Sequence, residues 1–173
     1  MSAKPMDNAA LAWCGDPAVA ARIAALFAAY AEPSYISHSE LQFGRAITSD
    51  VWAHDLEERV RWLAQRAAAT PLDAIDGIRL ATLTSAGRLE GFAFVRFMSG
   101  PALPYATLED LLIVPDGRSR GRGANFVAWI VEECRIRGMQ RLFLESGVLN
   151  HRAHEFFERQ GFRQTSIVMM RDL

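Results

Sequence analysis

Cysteine is scarce in this sequence: Cys14 and Cys134 are the only two among 173 residues, and no paired spacing links them. That argues against a disulfide scaffold. Cys134, on an apolar helical stripe, reads as a buried thiol of a reducing compartment. An excess of either charge is also missing. With 19 basic and 20 acidic residues the formal net charge is -1, so neither nucleic acid nor an anionic membrane would meet a wide basic surface. Long apolar runs are absent too. Met1-Ser2-Ala3-Lys4-Pro5 passes into polar residues, so neither a secretion signal nor a membrane span is expected, and a cytoplasmic location is the default. No repeat or low-complexity tract interrupts the chain, and one domain is expected over residues 1–173.

What is present is patterned apolar sequence, which makes up 50% of the residues. Ala10 to Cys14 reads as a short strand. Asp16-Pro17 then supplies a helix cap and a first helical position, and Val19, Ile23, Leu26, Phe27 and Tyr30 follow at helical spacing to about Ala31. Glu32 to Ser49 is turn-rich. A second helix is expected from near Asp50 to Thr70-Pro71, with Val51, Leu56, Val60 and Leu63 close to one face. The period then falls to two. Ile78 to Thr84 and Leu89 to Met98, joined by Ser85-Ala86-Gly87-Arg88, predict a β-hairpin, and Tyr105 to Val114 predicts another strand. A helix from about Gly121 to Arg137 presents Val127, Ile130, Val131 and Cys134 as its buried stripe. Leu142-Phe143-Leu144 suits a short covered strand. Asn150 caps a final helix to about Gln160, and Phe162 to Met170 is expected as the last strand. This order predicts an α/β fold around a mixed sheet.

The most informative stretch is Val114-Pro115-Asp116-Gly117-Arg118-Ser119-Arg120-Gly121-Arg122-Gly123-Ala124-Asn125. A strand ends, a glycine- and arginine-rich loop follows, and a helix begins. Helix N-termini present unpaired N–H groups and a positive dipole end, so a phosphate is a natural guest there. Glycine lets the backbone approach such a ligand closely. Arg118, Arg120 and Arg122 add three cations that oppose the dipole unless an anion sits between them. No Gly-Lys-Ser/Thr follows, and Phe126 stands where a dinucleotide motif would place its third glycine.

These residues resemble a known family. Arg118-x-x-Gly121-x-Gly123 is similar to the pyrophosphate motif of the GNAT superfamily of N-acetyltransferases. Asn150-x-x-Ala153-x-x-Phe156-Phe157-x-x-x-Gly161-Phe162 is similar to the family's last conserved block. Leu108-Glu109-Asp110-Leu111-Leu112-Ile113-Val114 looks like the strand before the loop, with the Glu-Asp pair also found in the spermidine/spermine branch of small-amine acetyltransferases. The resemblance implies a GNAT fold: a mixed central sheet, an N-terminal helix pair, and a splayed parallel strand pair holding the cofactor. It implies acetyl-CoA as co-substrate and no metal. Leu111, Leu112 and Ile113 would pair with the pantetheine arm. The amides of Ser119, Arg120, Gly121, Arg122, Gly123 and Ala124 would hold the diphosphate with Arg118, and Asn150 would reach the cofactor near its thioester.

The expected reaction is acetyl transfer to a primary amine of a small molecule, by direct transfer in a ternary complex. A protein N-terminus or lysine is the alternative acceptor, and a catalytically silent CoA-binding module is the alternative from another class. Glu109 is the expected general base, directly or through water, with Asp110 on the opposite face unless a bulge intervenes. A backbone N–H at Leu111 or Leu112 would meet the developing oxyanion. Phe157 departs from the family, because many relatives carry a tyrosine there whose hydroxyl protonates the departing thiolate. On the acceptor side the expected contacts are Tyr35, His38, Glu40, Phe43, Trp52 and Asp55, aromatics beside carboxylates that suit a cationic amine. His151 and His154 read as polar-face residues rather than metal ligands. The apolar last strand is the candidate contact for a homodimer.

Overall fold

The structure, a computed structural model, describes residues 9–115 and 121–173. In chain order the elements are β1 (Ala9–Trp13), α1 (Ala20–Tyr30), α2 (His38–Gln42), β2 (Ala46–Thr48), β3 (Val51–Trp52) and α3 (Leu56–Ala69). They continue with β4 (Gly77–Ser85), β5 (Arg88–Met98), β6 (Tyr105–Ile113), α4 (Arg122–Ile136), β7 (Arg141–Leu144) and α5 (His151–Arg159). Two compact units divide them. One comprises residues up to Ala31 together with Glu57–Leu144, and the other comprises Glu32–Leu56 with Glu145–Leu173.

The first unit is built on a five-stranded sheet in the order β1-β4-β5-β6-β7. The first three pairings are antiparallel and β6–β7 is parallel, the mixed sheet that the sequence predicts. β4 and β5 are buried at consecutive positions along their centres, which requires cover on both faces. Aromatic contacts identify the cover. Phe27 of α1 meets Phe92 at 6.4 Å, whereas Phe97, on the opposite side of β5 by alternation, meets Trp13 at 5.7 Å. Trp13 in turn meets Trp129 of α4 at 5.0 Å and donates to Glu133 at 2.7 Å. So α1 covers the Phe92 face and α4 the Phe97 face.

Ile23 and Phe27 of the predicted α1 stripe are buried, as are Val127, Ile130 and Cys134 of the α4 stripe, whereas Tyr30 is exposed and Val51 falls on β3 rather than on a helix. Asp16 accepts from the Ala18 N–H at 2.9 Å and caps the 3-10 turn that leads into α1. Cys134 is buried on α4 beside Val127 and Ile130. Burial pushes its thiol up to about 12, from an ordinary value of 9.0. A maleimide at pH 8 is therefore expected to label Cys14 in the folded protein and to reach Cys134 only with denaturant. Labelling of both at equal rates in mass spectra would contradict this. The unfolded thiol begins to ionise near 9.0 while the folded one stays neutral, so this contribution to stability is lost as pH rises from there toward about 12.

The second unit departs from the sequence expectations in three places. The helix expected from Asp50 starts instead at Leu56, because Ala46–Thr48 and Val51–Trp52 pair as a short hairpin whose turn is tied by Thr48 to Asp50 at 2.6 Å. The turn-rich segment contains α2, opened by a capping box between Ser37 and Glu40. Residues 162–170 form no strand among the described residues, and Ile167 to Met170 are exposed. A strand propensity expresses fit to a neighbouring ladder, and no such ladder is present there.

Candidate active site

Two β-bulges shape the sheet around the expected site residues of β6. In the β4–β5 ladder Leu83 pairs with Gly91 and Thr84 with Leu89, so Glu90 is the extra residue. In the β5–β6 ladder Phe94 pairs with Asp110 and Val95 with Leu108, so Glu109 is extra. A bulge bends its strand and re-aims a side chain. Here each one aims a glutamate at an arginine. Glu90 pairs with Arg122 in the first turn of α4, and Oε1 of Glu109 accepts from Nε of Arg96.

The bulge at Glu109 also alters the predicted faces. Strict alternation would set Glu109 and Asp110 on opposite sides. Asp110 lies across from Phe94, and Arg96 shares that side of β5. Since Glu109 reaches Arg96, both carboxylates turn to the same side. Asp110 is buried there and Glu109 is partly open. The correction has a simple cause: the extra residue breaks the period of two.

The parallel ladder ends at the same point. It runs from Tyr105 opposite Arg141 to Leu108 opposite Leu144, and β6 continues through Ile113. Leu111 and Ile113 are half-buried and Leu112 is buried, so the three expected pantetheine-side residues lie on β6 beyond its last rung with β7. Helix α4 then opens at Gly121, whose φ of 75° is left-handed and whose position has no side-chain cap. That backbone conformation favours glycine. Nothing lies within 4 Å of where a Cβ would stand, so conformation rather than crowding sets the requirement.

Arg118, Ser119 and Arg120 lie outside the described residues. Arg122 departs from the expected cation cluster. Its side chain is 4% exposed, paired with Glu90, with Ser85 Oγ at 3.5 Å. A buried guanidinium requires a counter-charge, and the bulged Glu90 supplies it. What Arg122, Gly123 and Ala124 share toward an anion is therefore the first-turn backbone, where helix N–H groups lack intrahelical acceptors.

In the second unit Asn150 caps α5, its Oδ1 accepting from the Ala153 N–H at 3.3 Å. Phe157 packs edge-on against Phe156 at 5.1 Å and Phe162 at 5.6 Å and brings no hydroxyl. Glu40 is not open to an acceptor. It is 2% exposed and accepts from the Ser37 N–H, the Ser37 hydroxyl and Arg45 Nη2, each at 2.6 Å. Tyr35 and Trp52 face each other at 6.3 Å, and Phe43 and Asp55 are exposed. His38 Nδ1 sits 3.3 and 3.4 Å from the two carboxylate oxygens of Glu145. His151 and His154 contact each other at 5.9 Å between ring centroids. Among the described residues no group of three or more His, Cys, Asp or Glu side chains is arranged to hold a metal, and no helix is long and apolar enough to cross a membrane.

Sequence reading missed Glu90, Arg96 and Glu145. The capping-box spacing of Ser37 and Glu40 was a readable signal for α2. Bulges carry no such local signature, so the partners of Glu90 and Glu109 became visible only in the ladder.

Comparison with known proteins agrees with this geometry. The model of the acetyltransferase (GNAT) family matches residues 45–162. The aminoalkylphosphonate N-acetyltransferase of Salmonella typhimurium is 29% identical over 58 residues, a match covering 34% of this chain and 38% of that protein. Among solved structures, an aminoglycoside N-acetyltransferase in complex with CoA superposes with a TM-score of 0.67 at 14% identity, covering 99% of both chains. The ribosomal-protein-alanine N-acetyltransferase of Brucella melitensis biovar Abortus 2308 gives 0.63 at 14% identity, covering 95% of this chain and 99% of the other. At such identity the superpositions establish the fold. With its family motif spanning the bulged β6 strand, the glycine-opened α4 and the α5 block, the chain belongs to the acetyltransferase (GNAT) family, whose members use acetyl-CoA, and is an N-acetyltransferase.

Proposed function

We propose that this enzyme moves the acetyl group of acetyl-CoA onto a primary amine of a small molecule, by direct transfer in a ternary complex. The observation that carries the reading is the coincidence on β6 of the last parallel rung at Leu108 and the bulged carboxylate at Glu109. The residues fit the co-substrate: a left-handed glycine opens α4 without a capping side chain, and β6 extends past β7 as a strip of backbone through Ile113. In this reading Leu111 to Ile113 flank the pantetheine arm and the amides from Gly121 to Ala124, with Arg118, Ser119 and Arg120, hold the diphosphate.

Holding amine and thioester in line is the largest effect available, worth about 7–11 kcal/mol in favourable cases. Glu109 draws the acceptor ammonium toward that line. Protonating it during turnover would break its charge-assisted bond to Arg96, so the ion pair suits an anchor better than a proton carrier. A small acceptor is supported by the aminoalkylphosphonate enzyme, whose name specifies a small amine and which matches over 58 residues.

The test is thiol release from acetyl-CoA with a panel of aminoalkylphosphonates, polyamines and aminoglycosides, set beside peptides with free N-terminal alanine or lysine. Turnover with at least one small amine and little with the peptides is expected. Turnover confined to peptides would establish the protein-acceptor alternative. Tight acetyl-CoA binding with no thiol release from any amine would establish a silent module, the alternative that the missing hydroxyl at Phe157 keeps open.

A further inference from the structure

Helix α1 covers the Phe92 face of the sheet only in part. Cys14 prolongs the β1–β4 ladder by one bond, its N–H donating to the Leu80 carbonyl at 2.8 Å. The chain then turns at Asp16 into the 3-10 segment Pro17–Val19, and α1 begins at Ala20. Between this turn and the end of β4 lies a cavity of about 280 Å³, whose lining includes Cys14, Asp16, Arg22, Thr82, Thr84 and Leu89. Every one of these residues belongs to the first compact unit. The volume falls just short of the about 300–1,000 Å³ typical of sites for drug-sized ligands, so it suits a smaller guest.

The lining is polar where packing under a helix calls for apolar side chains. Thr82 and Thr84 share the face of β4 that carries Leu80, and Thr82 lies across from Phe92. Thr82 is 9% exposed, and among the described residues no hydrogen bond is made by its hydroxyl. A hydroxyl on so buried a side chain is ordinarily satisfied, which points to a guest in the cavity. The charges around it are also unused. Asp16 and Arg22 bring opposite signs to the same space without pairing with each other, and among the described residues Arg22 has no ion pair. Asp16 Oδ1 accepts from the Ala18 N–H, which leaves Oδ2. Both side chains are exposed and stand on the open side of the cavity, with the threonines on its floor. Opposite charges that line one space without closing on each other match a guest that carries both.

We propose that this cavity binds a small amino acid as its zwitterion. The carboxylate meets Arg22, the ammonium meets Asp16, and the threonine hydroxyls complete the hydrogen bonds. A bare anion would be opposed by Asp16 and a bare cation by Arg22, whereas the zwitterion satisfies both. No residue placed in acetyl transfer lines the cavity. The site is thus separate from the transfer reaction, and its test needs neither acetyl-CoA nor an acceptor.

Cys14 reports occupancy, because it lines the cavity and is half-buried, whereas Cys134 is buried. Dipyridyl disulfide is an uncharged thiol reagent that ignores amines. Its rate of thiopyridone release from the folded wild-type protein therefore measures access to Cys14. L-serine, β-alanine and γ-aminobutyrate, which differ in the separation of their charges, are the ligands tried. At least one is expected to slow the reaction along a saturable curve, by about tenfold at about ten times its Kd. Lactate and ethanolamine, which each lack one of the charges, should leave the rate unchanged. Arg22→Gln and Asp16→Asn should each abolish the protection; asparagine caps a helix as aspartate does, so the turn survives that change. No slowing by any of the three at about 50 mM, well above a millimolar Kd, overturns the proposal. Equal protection by lactate would mark a plain anion site and overturn it as well. Protection that persists in either variant would place the binding elsewhere, with the same consequence.

Discussion

Arg122→Ala is expected to lower stability by about 3–5 kcal/mol, the range for removing one partner of a buried ion pair. Arg122 and Glu90 are 4% and 14% exposed at their side chains, so alanine at 122 leaves a carboxylate out of water without its counter-charge. For a chain of this size that corresponds to a fall in Tm of about 6–20 °C. The double variant Glu90→Leu, Arg122→Met should recover most of the loss, because a buried pair replaced by apolar residues of similar volume is often neutral. Urea and thermal melts of the three proteins measure both effects. A single variant within about 1 kcal/mol of wild type would show that Glu90 and Arg122 are not coupled as described. Folded Arg122→Ala should still bind acetyl-CoA within a few-fold, since its guanidinium faces Glu90.

Gly121→Glu is expected to abolish measurable acetyl-CoA binding in calorimetric titration while the protein stays folded. Two effects add. The left-handed backbone at φ 75° disfavours any Cβ by about 1–2 kcal/mol. The new carboxylate would also stand at the helix end proposed to receive the diphosphate, opposing its charge. Together they predict a loss of at least about 100-fold, since each 1.4 kcal/mol is tenfold. Gly121→Asn separates the two, because asparagine tolerates the left-handed region and adds no charge; it should retain binding within about tenfold. Wild-type affinity in Gly121→Glu would remove α4 as the diphosphate site.

The sequence by itself determined the α/β class, the hairpin, the strand before the loop and the helices α1, α4 and α5. Each of these is written locally, in a period of 2 or 3.6, an Asp-Pro or Asn cap, or a glycine at a left-handed position. It also determined the family, because the Arg118, Gly121 and Gly123 spacing and the Asn150 to Phe162 block are strings of neighbouring residues.

Only the tertiary structure decided which charged groups meet. Glu90 and Arg122 are 32 residues apart, Glu109 and Arg96 are 13 apart, and His38 and Glu145 are 107 apart. Two of these pairings depend on bulges, which arise from the register between strands rather than from the residues of either strand alone. Register likewise removed Arg122 from the cation cluster and turned Glu109 and Asp110 to one side. The Phe162–Met170 segment shows the converse: its apolar composition favours a strand, but hydrogen-bonded neighbours make one, and composition cannot supply them.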